Sequence, residues 1–475
     1  MDVAPEALLR ARVATLGWLW LILLLVLQGC ASVYKPQNQS ITAIDNTKGY
    51  RLVKGRSGDV GDHLIFLAFS GGGTRAAALS YGVLQELRDT QIAAHGHRVR
   101  LLDEVDSISS VSGGSFTAAY YGLFGEKTFT DYEKVFLRQS IQGTLIRKLF
   151  NPAYWWHSLF SGLDRTEMAI EYYDSHIFEG KTFADFQLNS GPYVEINATD
   201  MGSANRFSFI QVYFDLICSD LSAFSVARAV TASSAVPVAF PTVVLKNYAG
   251  DCDIKQSNIA KFLDQQDDKS PRVRELKERM QSYTNRKEHP YIHLVDGGIV
   301  DNLGLRALTD RIETIGSGFF FSNSRQMPKD VLVISVNAEV NPERSLDQSA
   351  AKPSVVETID AMTDVQMSLY NAETKLLLAN KLKDLENTMR KRGHNVRVHS
   401  AEVSFKSIQT KTLKSYFNNL PTSLELSDHD VDMLIGAGRD LLRKDPGYQE
   451  FLEANAGTRV TAVPSAPSRA VTVSH

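Results

Sequence analysis

Between residues 63 and 452 the chain alternates short, unbroken apolar runs with stretches of helical periodicity. Leu64-Ile65-Phe66-Leu67-Ala68-Phe69 is apolar at every position, as a strand buried on both faces is. A helical pattern over residues 76–87 follows it. The pair repeats as a strand over 105–111 and a helix over 115–123. Residues 193–198, 292–295 and 331–337 read as further strands. Residues 354–392 read as a long helix, and 428–443 as a late helix with Ser427 at its N-cap. Alternating strands and helices predict an α/β fold, a mostly parallel sheet flanked by helices. In such sheets ligands bind at the carboxyl ends of the strands, so the loops after strands are where chemistry is sought.

The chain ends differ from this middle. Arg10 and Arg12 precede an apolar run over 16–27, which is shorter than the ~20 residues that a membrane span needs. The run ends in Leu27-Gln28-Gly29-Cys30, which resembles the lipobox of bacterial lipoproteins, where the cysteine is lipidated and becomes the mature N-terminus. Residues 1–29 are therefore expected to be a signal peptide and Cys30 the lipidation site. Ala31, rather than aspartate, follows the cysteine. That favours an outer-membrane lipoprotein of the cell envelope facing the periplasm. Residues 30–62 read as a polar tether with room for one short segment against the main domain, 63–452 as the main domain and 453–475 as a disordered tail. Residues 251–288 are dense in charge, contain a helical stretch over 271–283, and read as a surface insertion.

Composition narrows the function classes. Hydrophobic residues make up 43% and charged residues 22% of the 475, with a net charge of -3. Those values exclude fibrous and wholly disordered chains. No basic domain is present, so nucleic acid is not expected as a partner. Three cysteines are too few for a disulfide scaffold or a structural zinc cluster. An oxidising compartment permits a Cys218–Cys252 bond, and the sequence equally allows two buried thiols. The acidic residues Asp264, Asp267 and Asp268 lack calcium-loop spacing, and no metal or cofactor is expected. An aromatic cluster over 151–160, with Tyr154, Trp155, Trp156 and His157, fits a bilayer interface, an acyl groove or a local core.

Three strand-end loops carry candidate chemistry. Ser70-Gly71-Gly72-Gly73-Thr74-Arg75 follows the first strand. Its glycines leave N–H groups unshielded in front of a helix N-terminus, where they can face an oxyanion. It lacks the Gly-Lys-Ser/Thr ending of a nucleotide phosphate loop. Ser110-Val111-Ser112-Gly113-Gly114 again joins a strand to a helix, the setting of a nucleophile elbow, with Ser110 replacing the first glycine of G-x-S-x-G. Asp296-Gly297-Gly298 ends an apolar strand and presents a carboxylate. Each alone also reads as an ordinary turn. Together they supply donors, a nucleophile and a carboxylate, the set that acyl transfer needs.

These motifs, in this order, resemble the patatin-like phospholipases. The likeness extends to the block Ala229-Val230-Thr231-Ala232-Ser233-Ser234-Ala235-Val236-Pro237, to Asn197-Ala198-Thr199-Asp200 and to Asp301-Asn302, and it covers roughly residues 63–452. Ala76 departs from the family, which carries glycine there. The resemblance implies a patatin-like α/β fold with the nucleophile on a strand–turn–helix elbow. It also implies a Ser–Asp dyad of Ser112 as nucleophile and Asp296 as base. The Gly71, Gly72 and Gly73 loop would form the oxyanion hole, with Arg75 and Gly113 in support. The activity implied is cleavage of fatty acyl esters of phospholipids or lysophospholipids through an acyl-enzyme, at a membrane. A small-ester hydrolase or acyltransferase with the same site is an alternative, as is a non-catalytic envelope scaffold. Chain order also permits a Ser–Asp–His triad using His394 or His399. Head group, acyl position and oligomeric state are not encoded legibly.

Overall fold

The structure, a computed structural model, describes residues 36–52, 62–149, 165–188, 191–236, 241–264, 270–315, 327–340 and 350–459. Its centre is an eight-stranded sheet. In chain order the strands are β1 (His63–Phe69), β2 (Val105–Val111), β3 (Tyr193–Asp200), β4 (Asn205–Ser208), β5 (Val243–Lys246), β6 (Tyr291–Asp296), β7 (Asp330–Asn337) and β8 (Arg397–Ser404). They lie in the order β8-β7-β1-β2-β3-β6-β5, with β4 also on β3. From β8 to β3 every pair is parallel. β4 and β6 run antiparallel to β3, and β5 antiparallel to β6. The sheet is thus mostly parallel, with an antiparallel margin formed by β4, β5 and β6 that short apolar runs alone do not reveal.

The continuous apolar run of β1 is explained by its position. Ile65, Leu67 and Phe69 point to one face, into a core shared with α1 (Gly73–Arg88) and α2 (Gly113–Phe124). Leu64, Phe66 and Ala68 point to the other, against Leu308, Val331, Val333, Leu378 and Leu382. Helices therefore cover both faces. On the first lie α3 (Val226–Ser233) and α8 (Asp428–Lys444); on the second lie α6 (Arg306–Ile315) and the long α7 (Val355–Lys391). Ser427 caps α8 by accepting the Asp430 N–H at 3.1 Å, and Ser354 caps α7 with a reciprocal Glu357 contact. Between α3 and α6 come α4 (Pro271–Ser282), in the charged insertion, and the one-turn α5 (Gly298–Asp301).

Both ends of the described chain pack against the domain. Over its described part, the tether is packed onto the domain. Asn38 donates to Ser219 Oγ and to the Lys246 carbonyl at 3.1 and 2.8 Å. Arg51 forms a buried two-pronged pair with Asp215 at 2.8 and 2.9 Å. The tail too begins folded: Asn455 is buried against His63, and Thr458–Arg459 pairs with the strand Thr90–Ala94. A disulfide joins Cys218 to Cys252, with an S–S distance of 2.10 Å, and fixes the start of the charged insertion. The signal segment with Cys30, the aromatic cluster over 151–160, and Asp267 and Asp268 lie outside the described residues.

Candidate active site

β2 ends at Val111, and the chain turns at once into α2. Ser112 sits in that turn at φ 50° and ψ −123°, a backbone conformation that non-glycine residues rarely adopt. The strain is held by close packing. A Cβ on Gly113 would lie 2.0 Å from the Gly73 carbonyl oxygen, and one on Gly114 would lie 2.7 Å from that of Ser70. Only glycines after Ser112 let the two loops meet. Ser110, in place of the family's first glycine, is buried with its hydroxyl donating to the Glu195 carbonyl of β3 at 3.2 Å.

Asp296 arrives from the opposite direction. β6 descends antiparallel and ends with Asp296 opposite Ala198, while Val111 stands opposite Asn197. The carboxyl ends of β2 and β6 therefore meet across β3. Ser112 Oγ donates to Asp296 Oδ2 at 2.7 Å, and the Gly298 N–H donates to Oδ1 at 2.8 Å. Burial pushes the Asp296 carboxyl up to about 6, against the opposing pull of those two hydrogen bonds. A carboxylate poised near neutrality can take a proton from a hydroxyl and return it.

The glycine loop lies alongside. The Gly71 N–H donates to the Asn302 carbonyl at 2.9 Å. That N–H is therefore already committed, unlike the other two of the loop expected to form an oxyanion hole. The N–H groups of Gly72 and Gly73, and that of Gly113 at the head of α2, donate to no acceptor among the described residues. Gly72 at φ +135° and Gly73 at φ +58° hold backbone shapes that favour glycine. Arg75 is buried and binds away from the dyad. Its guanidinium donates to the Ala338 and Leu420 carbonyls at 3.0 and 2.7 Å and to Thr422 Oγ1 at 3.0 Å. It fastens the first turn of α1 to the chain beyond β7.

Neither triad histidine reaches the site. His399 Nε2 is 3.0 Å from Asp330 Oδ1, at the start of β7 and β8, whereas Ser112 lies beyond the end of β2. His394 follows α7, with its N–H on the Met389 carbonyl. Among the described residues no histidine bonds Ser112 or Asp296, and no group of three metal-binding side chains converges.

Three further residues belong to the site and had no assigned role in the sequence. Asn302 accepts from Gly71, Asn197 donates to the Ser110 carbonyl at 3.1 Å, and Ser233 accepts the Ser112 N–H at 2.9 Å. Their signal was present in the 197–200, 229–237 and 301–302 segments, but as motif letters without geometry.

The site thus sets a strained serine against a buried carboxylate beside a glycine loop, on an α/β sheet. The model of the family described as patatin-like phospholipase matches residues 67–309, just over half of the chain. The chain belongs to that family, which supports a lipid hydrolase. Among solved structures, human GIVD cytosolic phospholipase A2 is similar over 82% of this chain and 59% of its own, at 11% identity and a TM-score of 0.39. The chain thus spans less than two-thirds of that structure, and the family assignment rests on the sequence match. No curated protein matches the chain.

Proposed function

We propose that the chain is a serine acylhydrolase that cleaves fatty acyl esters of phospholipids or lysophospholipids through a Ser112–Asp296 dyad. The observation that carries this reading is the 2.7 Å bond between the two side chains, with the carboxyl pushed up to about 6. Asp296 takes the Ser112 proton as Oγ attacks the ester carbonyl. The tetrahedral oxyanion is bound by the uncommitted N–H groups of Gly72, Gly73 and Gly113 beside the N-terminus of α1. The intermediate collapses to an acyl-serine, and Asp296 hands its proton to the departing alcohol. Water, deprotonated by Asp296, then attacks the acyl-enzyme; the fatty acid leaves and Ser112 regains its proton. Arg75 and the glycines at 113 and 114 preserve the scaffold around these steps.

The test is fatty acid release from defined phospholipids and lysophospholipids by wild type and Ser112→Ala, followed by mass spectrometry of the protein. Release that depends on Ser112, with an acyl adduct on it, supports the proposal. Products appearing on an added alcohol instead of water would identify an acyltransferase. Cleavage of short esters without lipid cleavage would identify a small-ester hydrolase. Absence of any turnover or fluorophosphonate labelling would leave a scaffold.

The Leu27-Gln28-Gly29-Cys30 segment supports a second part of the proposal: lipidation of Cys30 after loss of residues 1–29, anchoring the enzyme to an envelope membrane. Cys30→Ser is then expected to abolish palmitate incorporation and leave an uncleaved precursor. Incorporation that persists would refute it.

A further inference from the structure

Ser112 and Asp296 are joined by more than their own hydrogen bond. At the C-terminus of α3, Ser233 bonds the backbone of Ser112 and of Gly297, the residue after Asp296. Its Oγ accepts the Ser112 backbone N–H at 2.9 Å. Its hydroxyl proton goes to the Asn197 carbonyl at 2.6 Å. Its own carbonyl accepts the N–H of Gly297 at 3.1 Å, and two residues later the Ala235 carbonyl accepts the N–H of Asp296 itself at 2.9 Å. Ser233 is fully buried. A single three-residue segment therefore grips the backbone of the nucleophile and the backbone of the base.

We infer that Ser233 is a positioning residue, whose hydroxyl holds the strained Ser112 turn in register with Asp296. The physical need is specific. At φ 50° and ψ −123° the Ser112 carbonyl accepts the Ser115 N–H at 2.9 Å, but its buried N–H has no partner besides Ser233 Oγ among the described residues. A buried N–H left unpaired costs about 1–3 kcal/mol, enough to let the turn relax. Relaxation would carry Oγ away from Asp296 Oδ2. The anchor is stiff because Asn197 stands in register with Val111, the residue before Ser112. The Asn197 carbonyl is also crowded from the other side: a Cβ on Gly297 would lie 2.4 Å from its oxygen. Ser115 belongs to the same cluster without sharing the role. Its hydroxyl lies 3.0 Å from Ser233 Oγ, with neither the Ser112 N–H nor the Asn197 carbonyl on it.

This inference rests on the reading of Ser112 as nucleophile, and the experiment separates the two. Turnover, KM, thermal unfolding and the rate of fluorophosphonate labelling are compared in full-length wild type, Ser112→Ala, Ser233→Ala, Ser233→Cys and Ser115→Ala. The cysteine variant keeps the volume while weakening both hydrogen bonds, so it reports even if the alanine variant does not fold. Expected for both Ser233 variants is a fall of 30-fold or more in kcat and in labelling rate, with KM within about threefold of wild type. Ser115→Ala is expected to stay within about threefold in both. The inference is overturned if a folded Ser233 variant keeps kcat within threefold, or if Ser115→Ala loses as much as Ser233→Ala. An active Ser112→Ala overturns the nucleophile assignment and this inference with it. An inert Ser112→Ala beside an unimpaired Ser233→Ala overturns this inference alone.

Discussion

The Ser112 hydroxyl donates to the Asp296 carboxylate at 2.7 Å across a sequence separation of 184. The contact exists because β6 runs against its neighbour β3 and stops one register step from the end of β2. Were β6 parallel, its carboxyl end would point the same way as that of β2, and the carboxylate would approach the hydroxyl from alongside rather than from across.

The dyad makes a direct prediction about side chains. Asp296→Asn is expected to be nearly as damaging as Ser112→Ala, each losing about 10³-fold or more in kcat/KM, because each removes one half of a proton-transfer pair. Steady-state hydrolysis of a soluble ester, with circular dichroism to confirm folding, checks it.

The raised Asp296 carboxyl fixes the sign of the pH dependence. The base must be ionised to accept a proton, so kcat/KM is expected to fall as pH drops through about 6, approaching tenfold per pH unit below it. A profile flat down to pH 4.5 would remove Asp296 as the titrating base.

The same group makes a stability prediction of opposite sense to the usual aspartate. Its folded-state pKa is above the unfolded value of 3.8, so ionised Asp296 disfavours the fold, and that cost grows as pH rises from about 4 to 6. Asp296→Asn is expected to raise stability by up to about 3 kcal/mol at pH 8 and to change it little at pH 4. Asp301, also buried and pushed up to about 6, remains in both proteins and cancels from the comparison. Urea unfolding at the two pH values reads the difference.

His399 separates a dyad from a triad. Its contact with Asp330 is buried at the far end of the sheet, while Arg397 also holds Asp330 at 2.7 Å. His399→Ala is expected to cost about 1–3 kcal/mol of stability and to leave kcat within about twofold at 25 °C. A loss near 10³-fold in folded protein would restore the histidine to the mechanism.

Gly72 tests the oxyanion donors. At φ +135° a side chain is strained, and a Cβ would lie 3.2 Å from Arg75 Nη2 and 3.3 Å from Ala76 Cβ. Gly72→Ala is expected to displace the loop and lower kcat by about 10²-fold or more while KM changes little. Kinetics on the folded variant decide; an effect on KM alone would assign the loop to substrate binding.

Much of the fold was legible because β1 holds an unbroken apolar run from Leu64 to Phe69, β7 holds another from Val331 to Ile334, and helical stretches follow the strands. The Ser427 and Ser354 caps fall where the polar-to-apolar switch places them. Strand direction was not legible, since β5 and β6 alternate buried and more exposed positions over only a few residues each, too short a stretch to mark them off from the parallel strands. The motif residues were visible as letters, but their division of labour was not. Gly71 reads like its neighbours until the Asn302 carbonyl takes its N–H, and Arg75 looks chemical until oxygens of Ala338, Leu420 and Thr422 claim its guanidinium. The packing of residues 38–51 was hidden for a related reason: a polar stretch signals solvent unless its partners, here Asp215 and Ser219, are known.

The antiparallel entry of β6 also bears on how the protein is made. Synthesis exposes Ser112 long before Asp296, and a chain lacking β6 has a hydroxyl with no carboxylate to deprotonate it. On the proposed dyad, a chain truncated anywhere ahead of Asp296 is expected to be inert, so the antiparallel strand that closes onto β3 would also complete the chemistry.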